Sequence, residues 1–568
     1  NPLTREQIES LVQEGRVVEL RRRLCSRMTF GTAGLRAAMG AGFARINDLT
    51  IIQSTQVGPG LQYAIDSSQL VLYNGYNNHA LAKLTAAVML CKDVPVYLFS
   101  TYVPTPFVPY AVMKYGAAAG VMITASHNRK EDNGYKVYWH NGAQIASPHD
   151  KEILHCIEES AEPWAESWNE DLVENSLLKR DPLEDVCHWY MEELNTLCFH
   201  RELNAKSPLK FVHSSFHGVG HNYVQRAFQQ FGFPPPIPVP EQKDPDPDFS
   251  TVSCPNPEEG ESVLELSLRL AEREEARIVV ATDPDADRLA VAEQNDNCGW
   301  KVFTGNELAA LLGWWMLFNW KEAHPDPADT ERVYMLATTV SSKILEAFAR
   351  IEGFHFEETL PGFKWIGNRI HELKKAGKEV IFSFEESIGF LCGNMVLDKD
   401  GVSTAAVVAE MASYLHTKNL SLNQQLCNIY EIYGYHISRT SYVLCNDPPT
   451  IHRIFSRLRN FGGQGVYPTS CGDYCITHIR DVTTGYDSSQ PDKKCVLPLS
   501  KSSQMLTFTF QNGIVATLRT SGTEPKIKYY TEFCASPGER DISSLDEELR
   551  KVAAALVEEF LEPDKNDL

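Results

Sequence analysis

Along most of the chain, short near-continuous apolar runs alternate with longer stretches whose apolar residues recur every three to four positions. The short runs are Val94–Phe99, Gly120–Thr124, Lys210–His213, Arg277–Ala281, Val333–Ala337 and Glu379–Phe384, rich in β-branched residues as strands covered on both faces are. The longer stretches, Leu81–Cys91, Glu261–Glu275, Glu307–Lys321 and Ala405–His416, have the helical period. This alternation predicts α/β layering with mixed, mostly parallel sheets. From residue 436 onward the pattern changes. Gln504–Phe510, the Gln511-Asn512-Gly513 turn and Ile514–Leu518 predict a hairpin, followed by a strand and a terminal helix over Leu545–Phe560. Pro- and Gly-rich breaks place boundaries near 200, 300 and 435, so three α/β domains (1–200, 201–300 and 301–435) precede an α+β domain, 436–568. The Pro- and Asp-rich stretch Pro234–Pro257 reads as a long surface loop.

Composition narrows the class. With 43% hydrophobic and 22% charged residues over 568 positions, the chain is an ordinary globular one, and disordered or fibrous readings drop out. A net charge of −21 has the wrong sign for coating nucleic acid or an anionic membrane, so neither is an expected partner. An anionic ligand must then be held by local groups of Arg and Lys. Fourteen cysteines without a CxxC pair predict reduced thiols and a cytosolic protein, and the closest pair, Cys471 and Cys475, is read as no site. The first 23 residues alternate charged and apolar positions and show no signal-peptide pattern. Val94–Met113 is uncharged for 20 residues, but its four prolines argue for soluble interior over a membrane helix.

Candidate chemistry sits at strand ends. Ser126, in TASHNRKEDNGYK (124–136), follows an apolar strand where open α/β sheets place ligands, and Lys136 can return to the same cleft as a base if its neighbours lower its pKa. In TDPDADR (282–288), period-two spacing in an extended segment would aim Asp283, Asp285 and Asp287 the same way, three oxygen ligands for a hard cation such as Mg²⁺. His213, His217 and His221 have helical metal-ligand spacing, yet Gly218 and Gly220 break that helix, so a strand-to-helix turn is expected there instead. Glu385 and Ser387 in FEESIGF can hold sugar hydroxyls. Arg519, Ser521, Gly522 and Thr523 in RTSGTEPK form an anion cradle. With Arg36 in GTAGLR, each domain contributes one polar loop, which predicts a central cleft.

GTAGLR, TASHN, DPDADR, EESIG and RTSGTEPK, in this order, resemble the α-D-phosphohexomutase superfamily over essentially the whole chain. Within it, ASHNRKEDNGYKVYW, EQKDPDPDFSTV, FEETLPGFKWIG and TTGYDSSQPDKK resemble the phosphoglucomutase-2 branch, with Arg129 where the mutase serine loop usually has Pro. The resemblance implies four domains around a cleft, Ser126 as a phosphoserine with His127 beside it, and Mg²⁺ held by Asp283, Asp285, Asp287 and the serine phosphate. It further implies sugar contacts from Arg288, Glu385 and Ser387, a phosphate clamp of Arg519, Ser521 and Thr523, and acid–base or phosphate roles for Lys136, Arg36, Lys364 and Lys399. The implied reaction makes glucose 1,6-bisphosphate: 1,3-bisphosphoglycerate phosphorylates Ser126, which passes the group to a hexose 1-phosphate. A phosphoglucomutase or phosphopentomutase, and a catalytically weak regulatory homologue, stand as alternatives. The segment Val57–His79 is about a dozen residues shorter than the family pattern, reading YNGYNNH at 73–79 where the family has Gly-x-Asp-x-Arg.

Overall fold

The apolar runs become buried strands, each within a residue or two of its expected ends. The computed structural model describes residues 2–28, 31, 34–56, 70–74 (backbone only), 79–252, 254–445, 447–500, 503–521, 526–539 and 541–568. The shortened segment therefore lies mostly outside the described residues, as do Gly522 and Thr523. The chain forms two units, Asn1–Tyr334 with Gly362–Asn423, and Met335–Pro361 with Gln424–Leu568.

The first unit holds a six-stranded sheet of β1 (Gly34–Ala38), β2 (Leu70–Asn74), β3 (Val96–Leu98), β4 (Ala119–Ile123), β5 (Asp132–Trp139) and β6 (Lys179–Arg180), in the order β1-β5-β4-β2-β3-β6. The pairs among β4, β2, β3 and β6 are parallel, and β5 runs antiparallel to β4 and β1. Only a short loop joins β4 to β5, and such a loop reverses the chain instead of crossing it over. Ile51, Ile52, Leu84, Val88, Val121, Ile123 and Val137 share the core beneath this sheet. A second sheet contains β7 (Phe211–Ser214), β8 (Ile237–Pro238), β9 (Ile278–Thr282), β10 (Leu289–Gln294) and β11 (Trp300–Val302), in the order β11-β10-β9-β7-β8. Here β7 pairs in parallel with β8 and β9, so the expected loop at Pro234–Pro257 contributes a short strand before it turns irregular. The helix Gly305–Ala323 begins with a capping box in which Thr304 and Glu307 satisfy each other's backbone N–H groups. Next comes β12 (Val333–Thr338), which carries the chain into the second unit, where β13 (His355–Thr359) lies. Back in the first unit, β14 (Glu379–Glu385) and β15 (Gly389–Cys392) form a tight hairpin with Glu385 opposite Gly389.

The second unit has a seven-stranded antiparallel sheet of β16 (His436–Leu444), β17 (Ser470–Cys471), β18 (Tyr474–Asp481), β19 (Tyr486–Asp487), β20 (Met505–Phe510), β21 (Ile514–Thr520) and β22 (Lys526–Cys534). The expected hairpin is β20–β21, with Met505 opposite Arg519. The terminal helix, Ile542–Ala555 continued by a wider turn to Leu561, packs Leu549, Val552, Leu556 and Phe560 onto the same core as Phe508 and Leu518. Among the described residues no helix is long and apolar enough to cross a membrane.

Candidate active site

Strand β4 ends at Ile123, and the loop after it turns back through Ser126 into β5. Ser126 is only 2% exposed and has φ +59°, a left-handed conformation that costs a non-glycine residue about 1–2 kcal/mol. Its N–H donates to Thr124 Oγ1 at 2.9 Å, which helps hold that conformation. Strain of this kind, kept in place by local bonds, aims one side chain. The Ser126 hydroxyl donates to Asp283 Oδ2 at 2.9 Å and lies 3.1 Å from His127 Nδ1. Since the hydroxyl hydrogen goes to Asp283, His127 Nδ1 is assigned the hydrogen of the second bond. Burial, then the cations Arg288 and Arg36, hold the His127 imidazole well below its usual pKa, so the ring is neutral near pH 7.

The three aspartates converge, but not along an extended strand as the period-two reading had it. β9 ends at Thr282, and residues 283–288 make a tight turn with Ala286 at φ +57°. Asp283 organises it: Ala286 N–H donates to Asp283 O at 2.9 Å, and Asp283 Oδ1 accepts from Asp287 N at 3.1 Å and Arg288 N at 3.0 Å. The glycines of the His213–His221 segment explain themselves here. Gly218 lies under Pro284, where a Cβ would fall 2.1 Å from Pro284 Cα, and Val219 N–H donates to Pro284 O at 2.8 Å. His213 lies on β7, His217 in the turn after it and His221 in the first turn of the helix Gly220–Gln230, as the strand-to-helix reading expected, and His217 Nε2 lies 2.7 Å from Thr251 Oγ1.

One oxygen from each of Asp283, Asp285 and Asp287 lies within 4.8 Å of the others, the one group of three such side chains among the described residues. All three carboxylates are buried, and Asp285 Oδ1 and Asp287 Oδ1 have no hydrogen-bond partner. A buried carboxylate oxygen without a donor is costly, and hard oxygen donors suit a divalent cation, so these residues fit one. Burial and the two neighbouring carboxylates push Asp283 well above the usual carboxylate range. For Asp287, burial is outweighed by Lys399, Lys136 and Arg288, and its carboxyl is held far down.

Three expected cations reach this loop. Lys136, on β5, lies 2.7 Å from Asp285 Oδ2 and 3.4 Å from Asp287 Oδ2. Its pKa is raised, because Asp285 and Asp287 outweigh burial, which corrects the expectation of a lysine tuned downward to act as a base. Lys399 lies 3.1 Å from Asp287 Oδ2 and 4.0 Å from Glu385 Oε1. Arg288 donates to the Ser387 carbonyl at 3.2 Å and pairs with Glu258 at 3.3 Å, so Ser387 meets the site through its backbone. Glu385 is 8% exposed, and burial raises its carboxyl to about 6 against the pull of Lys399 and Arg288. Arg36 stands exposed on β1 and donates to Asn128 Oδ1 at 3.2 Å, beside the serine loop. Lys364 lies in the first turn of the helix Phe363–Lys375, with its ammonium 5.6 Å from the Trp365 ring centre. In the second unit, Arg519 is half-buried on β21, and Ser521 N–H donates to Lys526 O at 2.9 Å.

Sequence reasoning missed Thr105, which is fully buried and donates from Oγ1 to Asp285 Oδ2 at 2.9 Å while its N–H donates to Asp285 O at 2.9 Å. It also missed Asp398 and Asp400, either side of Lys399. Asp400 caps the buried helix Gly401–Thr417 and accepts the Tyr190 hydroxyl at 2.6 Å. The Asp-Lys-Asp-Gly run before a helix was the available signal for that cap.

Comparison with known proteins places this geometry. Profiles of phosphoglucomutase/phosphomannomutase match in three parts: alpha/beta/alpha domain I over residues 27–164, domain II over 188–299 and domain III over 304–433. Human glucose 1,6-bisphosphate synthase is 69% identical over 100% of this chain and 93% of its own length. Human phosphopentomutase is 55% identical over 100% of this chain and 95% of its own. Among solved structures, the Paramecium phosphoglucomutase pp63/parafusin, 16% identical, superposes with a TM-score of 0.67 over 96% of both chains. A phosphoglucomutase/phosphomannomutase family protein from Burkholderia thailandensis, also 16% identical, gives 0.64 over 95% of this chain and 98% of its own.

Proposed function

Because the chain belongs to the phosphoglucomutase/phosphomannomutase family, we propose that it makes glucose 1,6-bisphosphate, moving a phosphoryl group from 1,3-bisphosphoglycerate through Ser126 to glucose 1-phosphate or a related hexose phosphate. The observation that carries the reading is the buried Ser126 hydroxyl, 2.9 Å from Asp283 at the edge of the three-carboxylate turn. The relative named for this product is 69% identical to the chain, against 55% for the phosphopentomutase, which favours synthesis over isomerisation.

In the first half-reaction the acyl phosphate P–O bond breaks, a bond forms between phosphorus and Ser126 Oγ, and 3-phosphoglycerate leaves as its carboxylate. The serine proton passes to Asp283 Oδ2, the acceptor already in place, and is released to solvent before the next turnover. In the second, the sugar 6-hydroxyl oxygen bonds to phosphorus, the bond to Ser126 Oγ breaks, and the hydroxyl proton ends on Oγ. Mg²⁺, held by Asp283, Asp285, Asp287 and the serine phosphate, would supply charge neutralisation for both transfers. Lys136 and Lys399, already ammonium ions at the loop, add positive charge where the transferring oxygens accumulate negative charge. His127 orients Oγ from its neutral form.

Arg288, Glu385 and Ser387 are assigned to the sugar, and Arg36 and Lys364 to phosphate. Arg519, Ser521, Gly522 and Thr523 are assigned to a phosphate that does not react. The domain limits 1–200, 201–300, 301–435 and 436–568 and a cytosolic location belong to the same reading. The test supplies purified protein and glucose 1-phosphate with 1,3-bisphosphoglycerate or with a sugar bisphosphate. Net glucose 1,6-bisphosphate formed from the acyl phosphate supports synthesis. Glucose 6-phosphate formed only with the sugar bisphosphate would make the chain a mutase, and no product with either donor would make it a regulatory homologue.

A further inference from the structure

Strand β5 sends two neighbouring same-face side chains toward the acidic turn by different routes. Lys136 touches Asp285 directly, whereas Tyr138, two residues on and fully buried, donates its hydroxyl to Asp398 Oδ2 at 2.7 Å. Gln144 Nε2 donates to the same oxygen at 3.1 Å. The other oxygen of Asp398 is turned wholly to Lys399, accepting its N–H at 2.8 Å and lying 3.3 Å from Nζ. Asp398 is 1% exposed, Lys399 6% and Gln144 9%. Burying a carboxylate at such depth carries a desolvation penalty, so its presence there is not explained by stability alone. Both of its oxygens are satisfied, and the arrangement sets one atom: the Lys399 ammonium is fixed by Asp398, with Asp287 and Glu385 on its other sides.

We propose that Asp398, itself fixed by Tyr138 and Gln144, is a positioning residue that sets the Lys399 ammonium between Asp287 and Glu385 for phosphoryl transfer. The proposal rests on the reading that Lys399 serves that transfer. Tyr138 thereby ties Lys399 to the strand that follows the Ser126 loop, so the serine and the lysine keep their distance as one frame. Displacing a reacting group by about 1 Å can slow a reaction about a hundredfold, a sensitivity that a frame of this kind controls.

The test is a double-mutant cycle on Y138F and K399M, with D398N alongside. Ser126 is charged from a sugar bisphosphate, and single-turnover transfer to glucose 1-phosphate is timed, which makes the result independent of the donor used in synthesis. Y138F keeps the ring that fills the core, so thermal unfolding should stay close to wild type while transfer slows by about tenfold or more. D398N should slow it at least as much; if D398N fails to fold, Y138F carries the test alone. On the K399M background, Y138F should add less than about a twofold further loss, because the group it positions is gone. Equal slowing by Y138F on both backgrounds, or no slowing at all, would overturn the proposal and leave Tyr138 a packing residue. Full transfer in K399M would remove the role of Lys399 itself, a pattern distinct from the other two, and the proposal would fall with it.

Discussion

At Thr105 a single hydroxyl decides which oxygen of Asp285 is spent on the protein and which is left over. Thr105 Oγ1 and Lys136 both occupy Oδ2, and Oδ1 is the unpartnered atom. Groups that orient a metal ligand typically contribute 10–100-fold in affinity. T105V keeps the backbone bond from residue 105 to Asp285 O, and it should weaken Mg²⁺ binding by about that factor, read as the Mg²⁺ concentration that raises the unfolding temperature halfway. An unchanged midpoint would separate Thr105 from the cation. Glu385 offers a pH test. With its carboxyl raised to about 6 by burial, it is ionised at neutral pH and gains a proton as pH falls through that value, losing capacity to accept from a sugar hydroxyl. Glucose 1-phosphate should therefore bind more weakly from about pH 7.5 to about pH 5.5, beyond the loss from the phosphate's own titration near pH 6. E385Q should show the phosphate contribution alone, and parallel wild-type and E385Q curves would contradict the assignment.

Elements place these residues through close backbone approaches. The helix Gly401–Thr417 starts against the acidic turn, with Gly401 N–H donating to Ala286 O at 3.1 Å. A Cβ on Gly401 would lie 2.4 Å from Arg288 O and 3.0 Å from Ala286 O, and neither backbone atom can yield cheaply. G401A should lower stability by about 1–3 kcal/mol, the range for overpacking, and weaken Mg²⁺ binding with it. Denaturant unfolding and the Mg²⁺ midpoint check both, and a loss of stability with intact Mg²⁺ binding would mean that the helix start and the turn are independent. The helices and buried strands were legible because a strand such as Ile278–Thr282 is apolar throughout. By contrast, β5 carries Asp132, Asn133 and Gly134, poor strand formers, and its conformation comes from pairing with β1 and β4 on either side. Ser126 and the three aspartates could be picked out because polar residues after an apolar strand stand out locally. Asp398 could not, since its partner Tyr138 is 260 positions away and neither residue advertises the other.

Over the whole molecule the net charge is −21, and carboxylates are set beside cations in both units, as Asp287 beside Lys399 in the first. In the second unit Glu358 lies between Lys343 and Arg480, accepting from Lys343 Nζ and, at 2.8 Å, from Arg480. Burial alone would push Glu358 up; Lys343 and Arg480 outweigh it and lower the carboxyl to about 2. Its folded pKa thus lies below the unfolded value, and the linked stability, on the order of 3 kcal/mol, is present above about pH 4.5 and lost as pH falls through about 2. E358Q should be less stable than wild type by that order at neutral pH, with the gap narrowing below about pH 4.5. A gap that does not change with pH would mean that Glu358 acts by packing alone.

Ser126 is proposed to carry the phosphoryl group between donor and sugar, and that group can be followed on the protein itself. Protein incubated with 1,3-bisphosphoglycerate should gain the mass of one phosphoryl group, located by peptide fragmentation at Ser126, and should lose it on addition of glucose 1-phosphate as glucose 1,6-bisphosphate appears in equal amount. S126A, whose missing hydroxyl costs the fold only about 1 kcal/mol, should neither take up the group nor form the product. Phosphate found elsewhere, phosphate on Ser126 that glucose 1-phosphate does not remove, or product formed by S126A at the wild-type rate would contradict it.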